Sequence, residues 1–186
     1  MHAPKKLAGY TLPELVITVS ILAIATGFAT QTWTTFVGNS RHRVILENYH
    51  ALFAFARWTA ASRRATITAC PLSSERQCVD DWSRPVAVFL DENKDRKPDN
   101  DLILRQVQVD LTSFTLRSRT AGRGYFRFNE KGMSEGSMGS LVLCPEDTSQ
   151  GTMTYMPVNI AGRFRVEYDH DRDGIIRLPW GTKLSC

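Results

Sequence analysis

The chain has 186 residues, which leaves room for one domain beyond an N-terminal stalk, large enough to bury a real core. Its 42% hydrophobic content is ordinary, and a net charge of +4 with a pI near 9.0 is too mild to identify an anionic partner by charge alone. The histidines, His2, His42, His50 and His170, are scattered with no nucleophile pattern beside them, which argues against a serine or cysteine hydrolase. No catalytic residue and no cofactor is expected.

Taken from the N-terminus, Lys5 and Lys6 precede an apolar run from Leu15 to Ala29 whose polar members are Thr18, Ser20 and Thr26. The positive-inside tendency keeps residues 1–9 in the cytoplasm and sends the rest across the membrane. Leu12 to Ala29 gives about 18 residues, near the minimum for a spanning helix. One reading is a secretory signal peptide, with Ala23-Ile24-Ala25 as the small-residue cleavage site. Another is a signal anchor. Glu14 fits neither well, because a carboxylate near the start of a membrane helix costs roughly 2 to 4 kcal/mol unless it finds a partner.

The order Gly9, Tyr10, Thr11, Leu12 and Glu14 resembles the class III signal of type IV pilins and type II secretion pseudopilins. That resemblance implies that a prepilin peptidase cuts after Gly9 and methylates the new amino terminus at Tyr10, and that the apolar helix is then kept. It also implies that Glu14 pairs with the terminal amine of a neighbouring subunit during assembly, which neutralises the charge. Tyr10 stands where phenylalanine is commoner and Pro13 where an aliphatic residue is frequent. Proline in the first helical turn forfeits no intrahelical bond.

From Gln31 to about Ala65 the pattern turns amphipathic. Val37, Ile45, Tyr49, Leu52, Phe53 and Ala56 recur at three- and four-residue steps, with Arg41, Arg43, Glu47, Asn48 and Arg57 between them. No proline interrupts residues 14–70, so a single helix of ~55 residues, about 80 Å long, is expected. Two helices broken near Gly27 or Gly38 are the alternative.

After Pro71 the texture is β-rich, with strands expected at Val86 to Leu90, Ile103 to Val109, Phe114 to Arg119, Gly124 to Phe128, Ser140 to Cys144, Thr152 to Pro157, Gly162 to Tyr168 and Gly174 to Leu178. The polar stretch from Asp91 to Asp101 is expected at the surface. The architecture expected is α+β, a long N-terminal helix packed against an antiparallel sheet or small sandwich. The four cysteines form an even set with three possible connectivities in an oxidising periplasm. The short spacing of Cys70 and Cys78 favours a local bridge, which leaves Cys144 to tie down Cys186. No C-x-x-C or nearby histidine pair supports zinc, and no metal is expected.

Beyond the leader, an ordered set of features resembles the GspH/FimT branch of minor pilins and pseudopilins: Cys70, Trp82, Val88-Phe89-Leu90-Asp91 with Asn93, Arg105, Phe126, Phe128, Gly132, Cys144 and Gly162-Arg163-Phe164-Arg165. On a strand, Phe164, Val166 and Tyr168 would face the core while Arg163 and Arg165 project together to solvent. In FimT-like proteins a GRxR element is associated with DNA binding in natural transformation, so the resemblance implies double-stranded DNA as a partner at Gly162, Arg163 and Arg165. Arg117, Arg119, Arg123 and Arg127, interleaved with Tyr125 and Phe126, form a second basic stretch with the capacity to contact phosphates; an ordinary half-buried strand is the plainer reading. Asp169-His170-Asp171-Arg172-Asp173-Gly174 has the form that opens a calcium loop, yet Trp180 stands at the twelfth position. A polar hairpin turn is favoured there.

The expected organisation is therefore a leader at residues 1–9, a membrane and filament-core half-helix at 10–30, and a periplasmic globular domain at 31–186. The expected role is a minor type IV pilin, single-pass in the inner membrane before assembly with other pilins. A minor pseudopilin of type II secretion is the alternative.

Overall fold

The computed structural model describes residues 10–136, 138–147 and 151–186, without the side chains of residues 28–32, 34 and 35. The expected leader, including Gly9, lies outside the described residues. Helix α1 (Leu12–Arg63) runs unbroken for 52 residues, so Gly27 and Gly38 do not interrupt it. Its start is set by Thr11 in an extended conformation, with Pro13 in the first turn. Glu14 Oε2 accepts from both the Thr11 backbone N–H and the Thr11 hydroxyl, each at 3.2 Å, which occupies an N–H left over at the helix start. The helix stops where Arg64 turns left-handed at φ 52° and the Ala65 N–H reaches back to the Ala60 carbonyl at 3.2 Å.

The two halves of α1 have different surroundings. From Leu12 to Gly27 every residue is exposed. From Ile45 onward, Ile45, Tyr49, Leu52, Phe53, Ala56 and Ala60 are buried on one face, the spacing read from the sequence. Among the described residues no helix is long and apolar enough to cross a membrane. The apolar run expected there continues past residue 27, into side chains outside the description.

Among the described residues ten strands follow: β1 (Ile67–Pro71), β2 (Val86–Leu90), β3 (Ile103–Val107), β4 (Phe114–Arg119), β5 (Phe126–Phe128), β6 (Gly139–Pro145), β7 (Thr154–Val158), β8 (Glu167–Tyr168), β9 (Ile175–Arg177) and β10 (Lys183–Ser185). They form an antiparallel sheet in the order β3-β2-β1-β5, a second in the order β4-β6-β7-β8, and a separate β9-β10 hairpin. The buried half of α1 lies against the first sheet, and one core joins it to both sheets. At its centre the Phe53 ring lies 4.9 Å from Phe126 and 5.0 Å from Phe164. The architecture is α+β, a long helix packed on antiparallel sheets.

Two strands differ from expectation by omission. β1 is buried along its whole length, so it carries no alternation to separate it from the preceding helix. β10 is three residues long with one apolar side chain, Leu184, too little to register as a period. The disulfides Cys70–Cys78 and Cys144–Cys186 are both formed, the pairing that the short first spacing suggests.

Candidate functional site

The Gly162-Arg163-Phe164-Arg165 segment is not a regular strand. It closes a tight turn in which the Gly162 N–H donates to the Asn159 carbonyl at 2.8 Å, the Asn159 N–H to the Arg163 carbonyl at 3.1 Å, and the Arg163 N–H to Asn159 Oδ1 at 2.9 Å. The hairpin register carries on through it: Thr154 faces Tyr168, Tyr155 faces Glu167 and Val158 faces Phe164. Only at Pro157 does the ladder fail. The Arg165 N–H donates to the Pro157 carbonyl at 3.0 Å, but proline has no N–H to return. That missing bond is why the expected strand from Gly162 to Tyr168 shrinks to β8.

The alternation of side chains survives this interruption. Phe164 and Val166 pack against the core, while Arg163 and Arg165 are exposed, with no side-chain partner among the described residues. Tyr168 departs from the expected pattern and is 42% exposed, at the outer edge of the second sheet.

Gly162 has a packing role. It sits at φ +69°, and a Cβ there would collide with the Gly132 carbonyl oxygen. Gly132, also at φ +69°, closes a second turn of the same construction: its N–H donates to the Asn129 carbonyl at 2.7 Å, and Asn129 Oδ1 accepts from Met133 at 3.1 Å. The Ser134 N–H donates to the Ile160 carbonyl at 2.9 Å, and Arg57 Nε to the Gly132 carbonyl at 3.3 Å. The two turns thus interlock against the distal end of α1. Asn159, whose amide oxygen organises the arginine turn, was not singled out by sequence; its signal was the Asn three residues before a Gly, shared by Asn129 and Gly132.

The second basic stretch divides. Arg117 and Arg119 share the exposed face of β4, as expected, and the Arg123 guanidinium donates to the Gly136 carbonyl. Arg127 belongs to the interior. Its Nη2 lies 2.9 Å from Asp91 Oδ2, with side chains 8% and 0% exposed, and the same carboxylate oxygen accepts the Thr68 hydroxyl at 2.6 Å. Nη2 also donates to the Lys94 carbonyl at 3.1 Å, and the guanidinium lies over the Tyr125 ring at 4.9 Å. The loop after β2 covers what would have been the solvent face of β5. It opens with a buried Asp91, although the stretch from Asp91 to Asp101 is otherwise largely exposed.

In the acidic turn, the ligand atoms of Asp169, Asp171 and Asp173 lie within 4.8 Å of one another. Asp169 is buried and accepts the N–H groups of Arg172 at 2.9 Å and Gly174 at 2.8 Å. Arg177 pairs with Asp171 at 3.4 Å and with Asp173, and its hydrogen bond to Asp173 holds that carboxyl below the usual carboxylate range. This is the geometry of a polar turn whose positive charge comes from the chain itself.

A family model described as Type II transport protein GspH matches residues 46–162. The chain belongs to the GspH family. The matched region of this GspH-family chain takes in most of the buried part of α1, the first sheet and strands β4, β6 and β7 of the second, and ends at Gly162, immediately before Arg163. Two solved structures of the type IV minor pilin FimU from Pseudomonas aeruginosa are similar to it. One is 17% identical over 65% of this chain and 88% of that one, with a TM-score of 0.49. The other is 16% identical over 75% of this chain and 92% of that one, with a TM-score of 0.48. No curated protein matches the chain.

Proposed function

We propose that this GspH-family chain is a minor type IV pilin, a structural subunit without catalysis, cleaved after Gly9, methylated at Tyr10 and held in the inner membrane by residues 10–30 until assembly. Residues 31–186 would then form its periplasmic domain. The observation that carries this reading is the single helix α1, whose apolar first half is exposed while its second half is domain core. Such a first half needs an apolar surrounding, and bilayer and filament core both supply one. Glu14 is exposed in the first turn of α1 and so open to the terminal amine of a neighbouring subunit.

Mass spectrometry of the mature protein is expected to find N-methylated Tyr10, whereas a terminus at Thr26 would indicate an ordinary signal peptide. Glu14→Ala and Glu14→Gln are both expected to be processed normally yet to be missing from sheared filaments. The glutamine variant keeps an acceptor for Thr11 and removes the charge, so its normal incorporation would defeat the assembly role.

The family description favours a second reading, a minor pseudopilin of type II secretion, with the same leader and fold. Exposed Arg163 and Arg165 favour DNA handling by a pilus subunit. Two exposed cations on one edge suit phosphates, giving a weak, sequence-tolerant, salt-dependent affinity. Binding of unrelated duplexes should weaken in Arg163→Gln/Arg165→Gln, with the salt slope flattened by about two units. Binding as tight as the parent's would return these arginines to a solvated edge or a subunit contact.

A further inference from the structure

His42 lies on the buried side of α1, one turn before Ile45 and Leu46, and is 8% exposed. Its Nε2 is 2.8 Å from the Thr154 hydroxyl on β7. The same hydroxyl lies 3.1 Å from the Thr152 carbonyl, to which it can donate, so the ring is tied to the Thr152–Thr154 segment of the second sheet. The ring stacks on Phe114 of β4 at 5.7 Å and meets Tyr168 of β8 edge-on at 6.3 Å. A single side chain of the helix thus touches three strands of the second sheet.

The described contacts of the ring, with Thr154, Phe114 and Tyr168, include no carboxylate. On α1, Arg41 turns to Asp110 at 3.9 Å and Arg43 to Glu47 at 2.7 Å. On β4, Arg117 and Arg119 point to solvent, and on β7 Tyr155 belongs to the separate cluster under the β9-β10 hairpin. On β8, Glu167 is exposed and the Tyr168 phenol is the titratable group in contact; Asp169 beyond it is bonded to the Arg172 and Gly174 N–H groups. Burial pushes the imidazole below its ordinary value, opposed by the weaker effect of the Thr152 backbone.

We propose that His42 is a pH-operated latch, docking α1 on the second sheet while neutral and loosening that contact when protonated. A second ring proton creates a buried cation with no carboxylate among its described contacts, and the attraction of the Phe114 face for a cation is the smaller effect. The sign follows from the lowered affinity for protons in the docked state. Docking is at full strength above the ordinary value of 6.5 and is lost as pH falls from there toward the docked-state value, by at most about tenfold per pH unit.

The full-length protein in detergent micelles tests this by amide hydrogen exchange, with rates corrected for the intrinsic effect of pH. Between pH 7.5 and pH 5.0, protection of residues 36–48 and 151–170 should fall roughly five- to thirtyfold, while β1 and β2 keep theirs. His42→Gln preserves a donor for Thr154 but does not titrate, and should abolish that loss. Unchanged protection in the parent overturns the latch, as does an equal loss in the glutamine variant. Should that variant fail to fold, NMR titration of the labelled His42 ring in the parent decides: a ring that titrates at or above 6.5 overturns the proposal.

Discussion

An alanine at position 162 meets two penalties at once, a left-handed backbone at φ +69° and a collision of its Cβ with the Gly132 carbonyl oxygen. Gly162→Ala is therefore expected to cost about 2 to 4 kcal/mol, measured as a lowered urea midpoint. Replacing Arg163 and Arg165 by glutamine should leave stability within about 0.5 kcal/mol, because both side chains are exposed, with no side-chain partner among the described residues. An equal loss in both variants would make the arginines part of the fold. The contrast bears on function, since DNA binding lost in the glycine variant would report a damaged turn rather than a lost phosphate contact. The exposure of the arginines was legible in the sequence from alternation with Phe164. The burial of Arg127 was not, because its partner Thr68 comes from β1 and Asp91 from the loop after β2, which has no local signature.

At the scale of elements, the β9-β10 hairpin is held from outside. It shares no ladder with the second sheet; Ile176, Leu178 and Leu184 pack on Val142, Met153 and Tyr155, and Cys186 is bonded to Cys144 of β6. Cys186→Ser should cost about 2 to 4 kcal/mol and open the hairpin to trypsin at Arg177 and Lys183. Cleavage there no faster than in the parent would mean that the side-chain contacts suffice. The hairpin lies beyond the matched family region, as does the arginine pair. Its first strand was readable from the turn at Asp173 and Gly174, whereas its second was too short to show.

For the molecule as a whole, the exposed half of α1 makes no described contribution to the core, which begins at Ile45. Removing residues 1–27 is accordingly expected to leave the thermal midpoint of the domain within about 2 °C, followed by circular dichroism. A fall beyond about 5 °C would assign the N-terminal half a stabilising role within the monomer. The helix so divided suits a subunit with a domain at one end and an apolar rod at the other, as the proposed filament role would require.

The sequence by itself carried the α+β class, the buried face of the helix and most of the strands, and it favoured one continuous helix and the local Cys70–Cys78 bridge, since each depends on periodicity or spacing within a short stretch. It also marked Gly162, Arg163 and Arg165 as a unit. Only the tertiary structure decided that Gly162 is required by Gly132, that Arg127 is an interior cation, and that His42 is sealed against the second sheet. Each of those outcomes depends on groups far apart in the chain that meet when the layers close. A buried charge or a collision between turns is a property of that closure, and no window along the sequence contains both partners.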